Sequence, residues 1–178
     1  MIITGGSFRG RKITAPDEKI TRPTLSKVRM GVFNTLFSLI GDFSGKNFLD
    51  TFGGSGIMGL EAISRGFSEV LVLENNKQVA NIIKENYKKL NLKANLKIGD
   101  SLKLINKIQE KFDVIYVDPP YKSGIYEKIV EQLKTCTKDE SLIILEHDSK
   151  IEIENLKLIK TKNYGGKFVS FYENSINK

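Results

Sequence analysis

Cysteine and histidine occur once each in the 178 residues, and no apolar run approaches membrane length. Cys136 alone cannot close an internal disulfide, which fits a reducing compartment. With His147 the only imidazole, Cys and His cannot assemble a structural zinc site, and no metal is expected. A membrane span needs roughly 18 or more consecutive apolar residues, and neither that nor a signal peptide is present. The expected setting is the cytoplasm. Internal repeats, low-complexity tracts and interdomain linkers are missing too. Residues 1–178 are therefore expected to form one domain, with 1–40 as its N-terminal extension.

Positive charge is what the chain has in excess, and it is unevenly placed. The net charge is +7, of which residues 1–29 supply +5. Arg9, Arg11, Lys12, Lys19, Arg22, Lys27 and Arg29 stand there against Asp17 and Glu18. A basic block at one end is the footprint of an arm that holds phosphates, and nucleic acid is the partner it suggests.

From Phe48 onward, apolar runs alternate with helical patterns. Phe48-Leu49, Val70 to Leu73, Leu96 to Ile98, Val114 to Val117 and Leu142 to Leu145 have the character of strands. Ile57 to Arg65, Lys77 to Leu90, Ser101 to Ile108 and Tyr126 to Cys136 have helical spacing. This order predicts an α/β fold, a mostly parallel sheet with helices on both faces. Asn163-Tyr164-Gly165-Gly166, between Leu156–Lys160 and Lys167–Tyr172, predicts an antiparallel hairpin closing the sheet. At the start, Ile2–Gly6 and Gly10–Thr14 predict a short β-ribbon, followed by a helix over Ser26 to Leu39.

The first strand runs into Asp50-Thr51-Phe52-Gly53-Gly54-Ser55-Gly56, and Gly54, Gly56 and Gly59 match G-x-G-x-x-G between a strand and a helix. Glu74 closes the second strand 20 residues after Gly54, where a carboxylate can accept from both ribose hydroxyls. These features predict a nucleoside-cofactor site that includes Phe52. Asp50 selects among cofactors, because a carboxylate before the glycine turn would repel the pyrophosphate of NAD or FAD. S-adenosylmethionine has no phosphate and carries an ammonium and a sulfonium, so the acid attracts it. Asp100 is placed either to accept from the adenine amino group or to cap the next helix.

The fourth strand ends in Val117-Asp118-Pro119-Pro120-Tyr121. Ligands of open α/β sheets bind outside the carboxyl ends of the strands, so Asp118 is expected in the same crevice. The prolines stiffen the loop and offer only acceptors. Asp118 and the Pro119 carbonyl then suit an amino group with two hydrogens, and Tyr121 can stack on the base that bears it. Asp-Pro-Pro-Tyr beside a glycine-rich first turn resembles the motif of class I amino-methyltransferases.

The resemblance extends over most of the chain. Thr4-Gly5-Gly6-Ser7-Phe8-Arg9-Gly10-Arg11-Lys12, Arg22-Pro23-Thr24, Val28-Arg29, Phe33-Asn34, Leu49 to Arg65 and Val117 to Tyr121 resemble the bacterial 16S rRNA guanine-N2 methyltransferase family. That resemblance implies a small class I methyltransferase that modifies one guanine of small-subunit ribosomal RNA in assembled or assembling particles, and a monomer is expected. It implies that Arg22, Pro23 and Thr24 wall the methionine end of the cofactor, and that Arg9, Arg11 and Lys12 hold RNA phosphates. Three positions depart from the pattern. Met30 replaces an acid, Gly53 replaces an alanine and is expected to loosen the cofactor loop, and Asn76 stands where an acid is frequent. His147 is expected to be a surface or structural side chain, Cys136 to be inert, and Lys122 and Lys167 to contact RNA or lie on the surface. Rival readings are a DNA amino-methyltransferase acting on adenine N6 or cytosine N4, a dinucleotide oxidoreductase, and a non-catalytic assembly factor.

Overall fold

Five apolar stretches pair side by side in the computed structural model, which describes residues 1–17, 24–120, 125–149 and 151–174. They are β1 (Asn47–Asp50), β2 (Glu69–Glu74), β3 (Leu96–Ile98), β4 (Phe112–Val117) and β5 (Thr137–His147), all parallel. Val70 to Leu73 and Val114 to Val117 are buried at every position, as expected of strands covered on both faces. β6 (Leu156–Asn163) and β7 (Phe168–Asn174) complete a seven-stranded sheet in the order β3-β2-β1-β4-β5-β7-β6.

The closing hairpin forms at the expected turn, where Tyr164 N–H donates to the Lys167 carbonyl at 2.7 Å. Its second strand joins the sheet, antiparallel to β5, and its first becomes the edge. Composition explains the choice. β7 buries Val169 and Phe171, whereas β6 is mostly exposed and carries Lys157, Lys160 and Lys162. Lysines on an edge strand discourage further pairing.

The helices are α1 (Ser26–Ile40), α2 (Ile57–Ser64), α3 (Lys77–Lys88), α4 (Ser101–Ile105) and α5 (Ile125–Leu133). Val28, Val32, Phe33 and Leu36 of α1 join Leu60 of α2 and Ile83 of α3 in one core. Ile105 of α4 and Ile129, Val130 and Leu133 of α5 form the second, on the opposite face. Thus α4 ends earlier than its spacing predicts, although Ile108 beyond it is still buried.

The N-terminal ribbon is slighter than expected. A single bridge joins Ile2 to Lys12, flanked by Ile3 N–H to the Arg11 carbonyl at 3.0 Å and Gly10 N–H to the Ile3 carbonyl at 2.9 Å, and beyond these Ser7 and Phe8 bond elsewhere. Ser7 N–H donates to the Ser64 carbonyl at 2.7 Å, and Phe8 N–H to Ser64 Oγ at 2.9 Å. The segment is clamped to the end of α2 instead of forming a free two-stranded arm.

β1 has β2 on one side and β4 on the other, so the chain reverses direction across the sheet there. Such a switch opens a crevice at the carboxyl ends of β1 and β4.

Candidate cofactor and amine site

The register brings acids together at that crevice. Asp50 pairs with Val72 on β2 and Tyr116 on β4, and Tyr116 pairs with Ile144 on β5. Side chains alternate along a strand, so Glu74 and Glu146, two residues beyond Val72 and Ile144, face the same side as Asp50. Asp118 follows the same alternation one residue past β4. Among the described residues, no group of three or more His, Cys, Asp or Glu side chains is arranged to hold a metal ion.

Gly54 and Gly56 adopt positive φ of 52° and 76°, which lets the chain leave β1 and enter α2 within a few residues. The turn is pinned to β2, since Gly53 N–H donates to the Leu73 carbonyl at 2.7 Å. Glu74 holds it as well: Oε2 accepts from Gly54 N–H at 2.9 Å, and Oε1 from Asn76 N–H at 2.8 Å. Each oxygen keeps a lone pair for a further donor. Gly53 does not loosen this turn. A Cβ on it would lie 2.4 Å from Val72 Cγ1, so the space that an alanine there would need is taken up by a valine on β2. Asn76 caps α3 through its side-chain oxygen, which accepts from Gln78 and Val79 N–H.

Asp50 is only 1% exposed, and neither carboxylate oxygen has a hydrogen-bond partner. Burial, followed by the charge of Glu74, raises its pKa to about 7; the Phe52 and Gly59 amides oppose this without completing a bond. An orphaned, buried acid is costly unless something pairs with it. A ligand's ammonium group fits that requirement.

Asp118 is half-buried, with Pro119 buried beside it and Pro120 exposed. Its carboxyl titrates well above the usual range. Burial is the main cause and Glu146 the next, with Lys167 opposing and Asp50 adding to the rise. Glu146 is fully buried and accepts from the Tyr116 hydroxyl and the Lys167 ammonium. Asp100 caps α4, its Oδ1 accepting from Lys103 N–H at 3.0 Å. Phe52 is half-buried, and Thr24 is buried with its carbonyl held by Arg29. Arg22, Pro23, Tyr121 and Lys122 lie outside the described residues.

Residue-type reasoning missed several contributors. Glu146 and Lys167 are not surface groups, and the signal for Glu146 was an acid near the end of a parallel strand, much as Glu74 closes β2. Asn86 of α3 is another. Its amide donates to the carbonyls of Thr14 at 2.9 Å and Ser55 at 3.1 Å, tying the N-terminal segment to the glycine turn. His147 is the last residue of β5. Its Nδ1 lies 2.7 Å from the Ser149 carbonyl and its Nε2 2.8 Å from Ser170 Oγ, so its role is structural. Cys136 is fully buried with its thiol pushed up to about 12, which leaves it unreactive.

Comparison with known proteins gives a consistent answer. Residues 1–173 match the family model described as Conserved hypothetical protein 95. Ribosomal RNA small subunit methyltransferase D of Buchnera aphidicola subsp. Acyrthosiphon pisum is 34% identical over 168 residues, covering 90% of this chain and 86% of that one. The chain belongs to the ribosomal RNA small subunit methyltransferase D family. The Escherichia coli (strain K12) member is also 34% identical, over 86% of this chain and 75% of its own. The solved structure of yhhF from Escherichia coli superposes with a TM-score of 0.85 at 28% identity, over 98% of this chain and 97% of that one. Its fold is the Rossmann-like fold of class I methyltransferases, and the family's cofactor is S-adenosylmethionine. The residues fit that molecule. Orphaned Asp50 would take the ammonium, Glu74 retains lone pairs for ribose hydroxyls, and the glycine turn admits a ligand to the backbone.

Proposed function

We propose that this protein transfers the methyl group of S-adenosylmethionine to the exocyclic N2 amino group of a guanine in 16S ribosomal RNA, within small subunits or their assembly intermediates. The observation that carries the reading is the placement of Asp118 and Pro119 one strand away from the orphaned Asp50, at the switch between β1 and β4. One end of the crevice holds the unpartnered Asp50, and the other offers the Asp118 carboxyl and the Pro119 carbonyl as acceptors. The names of the relatives support ribosomal RNA as the class of substrate. The Arg9, Arg11 and Lys12 segment and the motif around Asp118 favour guanine N2.

The bound cofactor supplies an electrophilic methyl on a sulfonium. The protein's part is to make a poor nucleophile attack it. An exocyclic amine delocalises its lone pair into the base, and two acceptors on its hydrogens favour a pyramidal nitrogen with that pair freed. Hydrogen bonds to a charged group contribute about 1.5–3 kcal/mol each, roughly one to two powers of ten if realised in the transition state. Orientation contributes more, since effective molarities reach about 10⁵ M. Stiff prolines after Asp118 serve that purpose, because each fixes its φ. Arg22, Pro23 and Thr24 would close the methionine end, Asp100 would accept from the adenine amine, and Tyr121 would stack on the guanine.

Tritiated methyl transfer to small subunits from cells lacking this protein, followed by nucleoside digestion, tests the reading. Labelled N2-methylguanosine is the expected product. Label in another base would move the target, and transfer to duplex DNA alone would overturn the choice of ribosomal RNA.

A further inference from the structure

The acids around Asp118 raise a problem that the proposed reaction leaves open. Asp118 must accept hydrogens from an amine, yet it shares its surroundings with Asp50 on β1 and Glu146 on β5. Like charges so close together disfavour the ionised state of at least one of them. A neutral carboxylic acid would present its own O–H to the amine and lose half its use as an acceptor.

The structure places a cation at this point. Lys167, at the turn into β7, reaches back to pair with Glu146, which lies at the carboxyl end of β5. Glu146 is fully buried, and its other oxygen accepts from the Tyr116 hydroxyl. From α5, Tyr126 donates to the Glu146 backbone carbonyl at 2.8 Å, which fixes the position of the strand end itself. Val117 pairs with Leu145, so Asp118 stands level with Glu146. The groups facing Asp118 are therefore Asp50 from β1, Tyr116 from β4, Glu146 from β5 and Lys167 from the hairpin. Glu74 on β2 adds its charge one step further on, at Asp50. Among the described residues, Lys167 is the one cation in that set.

We propose that Lys167, held in place by Glu146, is a positioning residue that favours the ionised form of Asp118, the acceptor for the target amine. The inference rests on the reading of Asp118 given above. It adds a hairpin residue to a site otherwise built from the ends of β1, β2 and β4. Lys167 does not touch substrate in this role. It offsets the charge that Glu146 brings, and the strand register sets the distance at which it does so. The neighbouring charges act in opposite senses on Asp118, Glu146 and Asp50 holding its carboxyl up and Lys167 drawing it down.

The test reads Asp118 directly. Protein labelled with ¹³C at aspartate carboxyls is titrated by NMR, with the Asp118 signal assigned by its loss in Asp118→Asn. Lys167→Met should move the Asp118 midpoint upward by about one pH unit, Glu146→Gln should move it downward, and Lys167→Arg should restore it. The acid limb of the methyl-transfer rate should follow each change. The double variant Glu146→Gln/Lys167→Met leaves no lone buried charge, so it provides a folded protein if either single one fails. Its midpoint should lie below that of Lys167→Met, or below the wild type where that variant does not fold. Midpoints that stay fixed, or move the same way in both single variants, would overturn the proposal and leave the pair as a structural support. A separate result bears on the underlying reading. Full turnover by Asp118→Ala would remove Asp118 from the reaction whatever its titration shows.

Discussion

Asp50 carries opposite obligations in the free and bound protein. Its folded-state pKa of about 7 lies above the ordinary 3.8, so folding stability is full below about pH 4 and is lost as pH rises through about 7. Each factor of ten in proton affinity corresponds to about 1.4 kcal/mol, which gives an upper bound on the order of 4 kcal/mol at alkaline pH. Asp50→Asn removes that cost but buries an amide with no evident partner, a penalty of about 1–3 kcal/mol. The net expectation is a ligand-free variant more stable than the wild type by about 1–2 kcal/mol near pH 8, with no advantage near pH 4. Denaturant unfolding at the two pH values checks this. Calorimetry should find cofactor affinity at least about tenfold weaker in the same variant, a loss of about 1.4 kcal/mol. Equal affinity would mean that the ammonium sits elsewhere. Asp118→Ala divides the labour differently, nearly abolishing methyl transfer while cofactor affinity stays within severalfold. Wild-type turnover should fall as pH drops through a value well above the ordinary carboxylate range, because the protonated acid accepts poorly.

Among elements, the N-terminal segment, α1 and α2 meet at one buried acid. Glu61 of α2 is fully buried and accepts from Arg29 Nε at 3.0 Å, from Arg65, and from Thr4 N–H at 2.8 Å. Arg29 also donates to the Ile2 carbonyl at 2.7 Å. Glu61→Gln leaves two guanidinium groups facing a neutral amide. Breaking a buried pair in this way costs about 3–5 kcal/mol. Urea unfolding should show that loss, and hydrogen exchange at the Thr4 amide should accelerate beyond what global destabilisation explains. Parallel strands, their order of occurrence, the glycine turn and the acids at Asp50, Glu74 and Asp118 were legible from pattern, because each depends on local alternation or spacing. Glu61, Asn86 and Glu146 were not, since, apart from Arg65 beside Glu61, their partners lie 20 to 72 residues away in sequence. The basic ribbon was only partly legible. Its glycines signal turns, but nothing local reveals that Ser64 accepts its backbone N–H groups.

On the scale of the molecule, positive charge lies beside an acidic crevice, and burial decides which basic residues count. Arg29 is consumed by Glu61, so it adds nothing to a phosphate-binding surface. Arg9, Arg11 and Lys12 are exposed, and Arg11 reaches the Lys89 carbonyl at the end of α3 only weakly, at 3.5 Å. The arm is tied to the cofactor turn through Thr14 and Asn86, so RNA held there is held near the site. Neutralising a phosphate releases counterions, and each contact contributes roughly 0.7–0.9 to the slope of log affinity against log salt. Replacing Arg9, Arg11 and Lys12 together with alanine should therefore weaken binding to small subunits at low salt and flatten the slope by about two. The difference should shrink as salt rises, while turnover at saturating substrate stays within severalfold. Filter binding over a salt series measures the first, and single-turnover transfer the second. An unchanged slope would move the phosphate contacts to other lysines, such as those of α3, and leave the N-terminal segment as a brace for α2 alone.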